Sequence, residues 1–393
     1  MTKKNYLITL FSTCFWTYSI AQTSIDHPLN KTNMIVNDAE IAVIHTLGNG
    51  NNNIASDYFD YDPKLAVNAR IKSKNTGTVG TTGSPSMKSV NTVTLDFDGD
   101  KFDDIVYVYQ NNNKGITIAV PQIDRKTLKT NSTQSITVSN GATAGYVPRM
   151  RLGKADFDRD GKDELVLAFR YYPTEKTTIQ IYKIAANGTP SLQTEIADIT
   201  FGFLGGSWEE DVYDITINDF DGDSIPDIAL ANLLNVSPNN DFKIYTYSVS
   251  TKSSWSITAK GNVVVGSGGS LPNYKIMALS SGLYNIKKPN QRQIALAVAY
   301  IDPSDNQKIK RQLFIASTPS FKTDGVNALN TITVAASPYT YSDFYNNLPS
   351  INLKSGDLDQ NFTDEIVFAF GTSFDIFTTD SNLVITKKGN GGA

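Results

Sequence analysis

Cysteine is all but absent from this chain: Cys14 is the only one in 393 residues. It lies inside an apolar N-terminal stretch, so the rest of the chain has no thiol to form a disulfide or to act as a nucleophile. Histidine is nearly as scarce. His27 and His45 are the only two, and both sit near the N-terminus. Ser-His-Asp or Cys-His machinery is hard to build from them. No His-Glu-x-x-His, Cys-x-x-Cys, P-loop or dinucleotide fingerprint occurs. No stretch carries an apolar stripe at helical spacing. A basic excess is missing too, with 35 Lys and Arg against 39 Asp and Glu and a pI near 5.3. Nucleic acid is therefore disfavoured as a partner.

The N-terminus reads as a secretory signal peptide over residues 1–21. Lys3 and Lys4 supply the positive region, Tyr6 to Tyr18 the apolar core, and Ser19-Ile20-Ala21 a small-x-small cleavage site. The apolar core is shorter than the ~20 residues a spanning helix needs, and no second hydrophobic span occurs. The expectation is a secreted, cell-surface or periplasmic protein with no membrane span after cleavage. Residues 22–44 read as a leader or a closing strand, and 386–393 as a flexible tail.

What is present is repetition. An acidic loop followed at once by an apolar run returns along the chain. The first copy sets Asp96, Asp98, Asp100, Phe102 and Asp104 before Ile105. The second sets Asp156, Asp158, Asp160, Lys162 and Glu164 before Leu165. The third sets Asp219, Asp221, Asp223, Ile225 and Asp227 before Ile228, and the last Asp357, Asp359, Asn361, Thr363 and Glu365 before Ile366. A degenerate copy runs from Asn285 to Gln293 before Ile294, with Asn285, Lys287, Pro289 and Gln293 in the ligand places. A weaker sixth copy reads as Ser56 to Lys64. The clear apolar runs start 60, 63, 66 and 72 residues apart. Between them the sequence alternates in period two, as in Thr178 to Ile184 and Phe242 to Tyr247, which reads as half-buried strand. About 60 residues hold roughly four strands with turns, and four strands repeated radially make a propeller blade. The fold expected is all-β: a propeller of six or seven four-stranded blades over residues 45–385. Asn49 to Asn53 and Thr76 to Ser86 read as loops.

Carboxylates at positions 1, 3, 5 and 9 of one turn repel each other unless a hard cation sits among them. Calcium, which takes 6 to 8 oxygen ligands, fits that set. Position 7 offers its backbone carbonyl, so its side chain is free to vary, as Phe102, Lys162, Ile225 and Thr363 do. Position 12 is Tyr107, Leu167, Leu230 and Phe368. None of these can ligate, and β-formers come next, which excludes an EF-hand. Fifteen of the 39 acidic residues occupy these places, so the acidic balance is mostly a metal requirement. About four calcium sites are expected, the last weakened by Asn361.

These loops resemble the FG-GAP/VCBS-type calcium-binding repeat of integrin α-subunit propellers and bacterial secreted proteins. The resemblance covers roughly residues 45–385. It implies a propeller whose calcium loop joins the first two strands of each blade. The integrin Gly-Ala-Pro signature is absent, and Val106-Tyr107-Val108 stands in its place, so the bacterial variety is the nearer match. The function implied is a calcium-stabilised, non-catalytic recognition or adhesion scaffold for an extracellular protein or glycan. A carbohydrate-active enzyme on a propeller and a structural module of a larger adhesin or toxin are the alternatives. The sequence places one candidate ligand cluster, Trp208 with Glu209, Glu210 and Asp211, after Gly205-Gly206-Ser207.

Overall fold

The computed structural model describes residues 19–23, 39–46, 54–61, 71–79, 91–100, 103–111, 115–124, 129–138, 149–170, 176–200, 213–236, 239–265, 274–285, 287, 292–302, 305–316, 329–334, 351–358, 361–370 and 373–392. Among them every element is a strand. The strands form four-stranded antiparallel sheets in simple up-and-down order, the blade unit of a β-propeller. The all-β propeller class expected from the repeat is what the chain adopts.

The chain divides into two compact units, Met1–Asp198 and Ile199–Ala393. In the first unit, blade 1 is β1 (Ser19–Thr23), β2 (Ala39–Thr46), β3 (Ile54–Tyr61) and β4 (Ile71–Val79). Blade 2 is β5 (Asn91–Leu95), β6 (Asp104–Gln110), β7 (Ile116–Asp124) and β8 (Lys129–Thr137). Blade 3 is β9 (Arg149–Ala155), β10 (Glu164–Arg170), β11 (Lys176–Ile184) and β12 (Pro190–Thr200). In the second unit, blade 4 is β13 (Tyr213–Asn218), β14 (Asp227–Val236), β15 (Asn239–Ser250) and β16 (Ser256–Val265). Blade 5 is β17 (Tyr274–Gly282), β18 (Gln293–Asp302), β19 (Asp305–Ala316) and β20 (Leu329–Val334). Blade 6 is β21 (Ile351–Gly356), β22 (Glu365–Phe370), β23 (Ser373–Thr379) and β24 (Ile385–Gly392).

Each apolar run behind an acidic loop is the second strand of a blade. The residues of that strand are buried almost throughout, as in β6 and β10, so it reads as a nearly continuous hydrophobic run. In β18 the two faces divide by size. Ile294, Leu296 and Val298 pack with Phe220, Ala229 and Ile244 of blade 4. Ala295, Ala297 and Ala299 pack with Ile366, Phe368 and Phe370 of blade 6. Small residues on one face leave room for large rings from the next blade, which suits close packing of the layer. A parallel cluster joins Val106, Val108 and Ile118 of blade 2 to Leu165, Leu167 and Phe169 of blade 3. Truncating a ring such as Phe368 to alanine leaves a cavity that costs about 3–5 kcal/mol.

Four local expectations are corrected. The weak loop at Ser56 to Lys64 is mostly strand: Ser56 to Tyr61 belongs to β3 and pairs with β2, and Tyr58, Phe59 and Tyr61 are strong β-formers. The true second strand of blade 1 is β2, whose Ile41-Ala42-Val43 run precedes Ile105 by 64 residues, in step with the repeat. The segment 22–44 therefore holds the end of β1 and most of β2, which fits the closing strand and not the leader of the two readings given for it. Residues 385–392 are not a tail but the outer strand of blade 6, paired with β23. Their lysines and glycines suit an exposed edge, which charge protects from pairing with other chains. Thr76 to Val79 closes β4 and is not loop. β1 spans the expected cleavage point after Ala21. The run 49–53 lies outside the described residues.

Candidate metal loops and the clasp between blades

The acidic loops sit where the first strand of a blade turns into the second. The register fixes their frame. In each case position 9 pairs with the residue just before position 1: Asp104 with Leu95, Glu164 with Ala155, Asp227 with Asn218 and Glu365 with Gly356. The same rule corrects the degenerate copy. Gln293 pairs with Gly282, so Leu283, not Asn285, stands in position 1. Gln293 accepts the Tyr284 N–H at 2.8 Å, as the position 9 carboxylates accept from position 2 elsewhere. An apolar side chain and a carboxamide thus replace the two anchoring acids of blade 5. Residue spacing alone hides this because the blade 5 loop is longer by two residues.

Position 1 organises the turn by collecting backbone N–H groups. Asp156 accepts from Asp160 at 3.1 Å and Gly161 at 2.9 Å. Asp219 accepts from Gly222 and Ser224, each at 2.7 Å. Asp357 accepts from Asn361 and Phe362 at 3.0 and 3.1 Å, and Asp96 from Gly99 at 2.8 Å. These bonds require the chain to double back, and it does so through left-handed residues. Position 4 is Gly99, Arg159 or Gly222, with φ of 83°, 62° and 85°. Position 6 is Gly161, Ser224 or Phe362, with φ of 84°, 66° and 68°. Glycine takes such angles freely, whereas a bulky side chain is strained by them. Position 9 is buried in blades 3, 4 and 6. Glu164 is 1% exposed, Asp227 2% and Glu365 0%. Each accepts the N–H of position 2, as in Phe157 to Glu164 at 2.9 Å and Leu358 to Glu365 at 2.8 Å.

The carboxylates converge. Single oxygens of Asp96, Asp98 and Asp100 lie within 4.8 Å of one another, as do those of Asp156, Asp158 and Glu164, and those of Asp219, Asp221 and Asp227. Hard oxygens at such separations suit a calcium ion, which sits 2.3–2.6 Å from each ligand. Position 5 behaves differently between blades. Asp100 joins the blade 2 group, while Asp160 and Asp223 turn to accept the position 7 N–H of Lys162 at 3.0 Å and Ile225 at 2.8 Å. In blade 6, Asn361 accepts from Thr363 in the same way at 2.8 Å. Phe102 and Asp359 lie outside the described residues, as do Trp208, Glu209, Glu210 and Asp211.

Burial and crowding shape the electrostatics. Desolvation pushes the Glu164 carboxyl up to about 8, with the neighbouring Asp158 charge adding to it. Asp227 is pushed up to about 7, chiefly by the same burial. A buried carboxylate at neutral pH calls for a positive partner. Two lysines supply one. Lys183 of β11 bonds Asp158, stands 2.8 Å from Asp160 and 3.6 Å from Glu164. Lys260 of β16 bonds Asp221 and stands 3.4 Å from Asp227. Despite some desolvation, the Lys183 bond holds Asp160 below the ordinary carboxylate value, and Lys260 does the same for Asp221. In blade 6, Lys388 lies 3.4 Å from Glu365.

Position 8, to which the repeat pattern assigns no ligand, joins neighbouring blades. The Asp163 N–H donates to the Asp96 carbonyl at 2.7 Å, while Asp163 Oδ2 accepts the Asp96 N–H at 3.1 Å. Blade 6 clasps blade 5 identically: the Asp364 N–H donates to the Leu283 carbonyl at 2.9 Å, and Asp364 Oδ2 accepts the Leu283 N–H at 2.7 Å. Blade 5 reaches blade 4 through the Arg292 N–H to the Asp219 carbonyl at 2.9 Å. Lys154 tightens the first clasp, with Nζ 2.9 Å from Asp103 and 3.0 Å from Asp163. Burial alone would lower its pKa, but the two aspartates raise it. The recurrence of aspartate at position 8 (Asp103, Asp163, Asp364) is visible in the sequence. Its role is not, because the partner lies one repeat away.

Residues 156–230 match the FG-GAP-like repeat family model, and they span the second and third acidic loops. Among curated protein sequences none matches the chain. Similar solved structures include a variant of the Aleuria aurantia lectin in complex with α-methyl-L-fucoside, at 11% identity, TM-score 0.45 and 95% coverage of both chains. The same lectin variant with Fucα1-6GlcNAc aligns at 12% identity, TM-score 0.44 and 95% coverage of both. A third is the Aleuria aurantia lectin described as a six-bladed β-propeller, at 11% identity, TM-score 0.43 and the same coverage.

Proposed function

We propose that this chain is a secreted, calcium-stabilised β-propeller that serves as a non-catalytic recognition scaffold for an extracellular glycan or protein. The observation that carries the calcium reading is the convergence of three carboxylate oxygens in each of three successive acidic loops. The loops also hold the clasps between blades. A cation that gathers positions 1, 3 and 9 therefore fixes the backbone on which position 8 of the next blade docks. Metal uptake is thereby coupled to how firmly blades adhere, which suits a protein without disulfides. The signal-like sequence of residues 1–21 supports export.

Recognition is assigned to the edge opposite the acidic loops. There the second strand turns into the third and one blade passes to the next. Those connections, 80–90, 138–148, 201–212, 266–273 and 335–350, are longer than the turns of a minimal meander. Loops held by a rigid scaffold are where binding residues concentrate. The sequence of connection 201–212 contains Trp208, Glu209, Glu210 and Asp211, an aromatic residue and acids of the types that bind sugars. The test is a glycan array probed with the calcium-loaded protein, beside its Trp208→Ala variant. Binding to a restricted glycan set that is lost in the variant supports the reading. Wild-type protein that retains no glycan at all removes the glycan half of it.

A further inference from the structure

The two inner loops already contain a cation. In blade 3 the Lys183 ammonium bonds Asp158, stands 2.8 Å from Asp160 and 3.6 Å from Glu164. In blade 4 the Lys260 ammonium bonds Asp221 and stands 3.4 Å from Asp227. These carboxylates include two of the three whose oxygens converge in each loop. The lysines reach this place by different routes. Lys183 comes from the third strand, one residue past the Leu165–Tyr182 pair. Lys260 comes from the outer strand, as the extra residue of a β-bulge where the register skips between Gly261 and Ala259. Bulges re-aim one side chain without disturbing the rest of a strand. Blade folding does not demand a lysine at either position. In blade 2 the register puts Gln122 where Lys183 would be, and Asn131 at the skip that matches Lys260.

We propose that Lys183 and Lys260 are built-in counterions, each standing where a divalent ion would and keeping its loop in shape without metal. An ammonium offers three donors and one positive charge, enough to hold two carboxylates but not to satisfy the 6 to 8 oxygens that calcium gathers. Calcium enters such a loop only as the lysine swings out, and both stems are partly solvent-exposed, so a path exists. The lysine then acts as a competitor for the site and sets how much calcium the loop needs. The calcium half of this inference rests on the function proposed above; the counterion half does not.

The test uses the full chain with Lys183→Met and Lys260→Met, which keep the stem and delete the charge. Thermal unfolding is measured in chelator, and calcium uptake is measured by titration calorimetry. Each variant is expected to melt lower than wild type in chelator, to regain its melting point in calcium, and to bind calcium at that loop roughly tenfold or more tightly, since a like charge about 4 Å away has been removed. Lys183→Arg keeps the charge and should behave as wild type in chelator. Variants that melt like wild type in chelator, with unchanged calcium stoichiometry and affinity, overturn the proposal. If the variants melt lower but neither they nor wild type take up calcium, the counterion role stands and the calcium reading falls. If wild type and variants take up calcium alike and melt alike, the calcium reading stands and the counterion role falls.

Discussion

Asp163→Ala tests whether position 8 clasps one blade to the next. The substitution deletes a carboxylate oxygen that accepts the Asp96 N–H at 3.1 Å and faces Lys154 at 3.0 Å. It spares the backbone bond from the Asp163 N–H to the Asp96 carbonyl. A bond from a partly buried N–H to a charged acceptor contributes about 1.5–3 kcal/mol. The ion pair adds little, because Lys154 is part-exposed and keeps Asp103 at 2.9 Å, so its share is about 0–1 kcal/mol. The expected loss is about 2 kcal/mol by urea unfolding. Hydrogen exchange at the Asp96 amide should quicken by roughly thirtyfold, the equivalent of that free energy. Asp163→Asn keeps an acceptor and loses only the charge, so it should lose less than about 1 kcal/mol. An Asp163→Ala variant within about 0.5 kcal/mol of wild type, with Asp96 exchange unchanged, would show that the Asp163 carboxylate does not clasp the blades.

The same geometry sets three other outcomes. At Gly282 a Cβ would meet Asp364 Oδ2 at 2.8 Å and Tyr284 Cε1 at 2.7 Å. Tyr284 is fully buried and cannot yield, so Gly282→Ala should lose about 1–3 kcal/mol in denaturant unfolding, and a neutral result would deny the tightness of that clasp. Phe362 is 78% exposed at a left-handed φ of 68°, so Phe362→Gly loses little burial and relieves strain; it should gain up to about 1 kcal/mol, and a clear loss would show that the ring has a partner. In chelator, stability should depend on pH through Glu164. Its folded pKa of about 8 exceeds the ordinary 4.5, so the folded chain holds that proton more tightly. The stabilisation is full below about 4.5 and is lost as pH rises through about 8. Melting points in chelator should fall across that window, and Glu164→Gln should flatten the slope; a variant with the wild-type slope would contradict the assignment.

The fold was legible because its signals are local. Acid at positions 1, 3, 5 and 9 with an apolar run behind it marks a turn entering a buried strand, wherever it occurs. The strands at Thr178 to Ile184 and Phe242 to Tyr247 were equally plain, since β11 and β15 alternate in period two. What escaped depended on residues far apart in sequence. The clasp needs Asp163 beside Asp96. The counterions need Lys260, brought to Asp221 by a bulge in the outer strand that no spacing announces. Blade 1 escaped because its loop is longer and its position 1 is Ser24, the residue after Thr23, which pairs with Glu40. The outer strand of blade 6 reads as a tail because Lys387 to Gly392 has the composition of a linker, and only its pairing with β23 makes it a strand.

The central claim is that the acidic loops take calcium and that this firms the blades. Thermal unfolding of the exported form, in chelator and across calcium from micromolar to millimolar, tests it most directly. Extracellular modules hold calcium at about 10⁻⁴–10⁻³ M, and each site at ten times its dissociation constant adds roughly 1.4 kcal/mol. The account predicts a saturable rise of several degrees in calcium that magnesium does not reproduce. A melting point indifferent to calcium and chelator alike would contradict it, leaving the loops as metal-free turns that join strands and clasp blades.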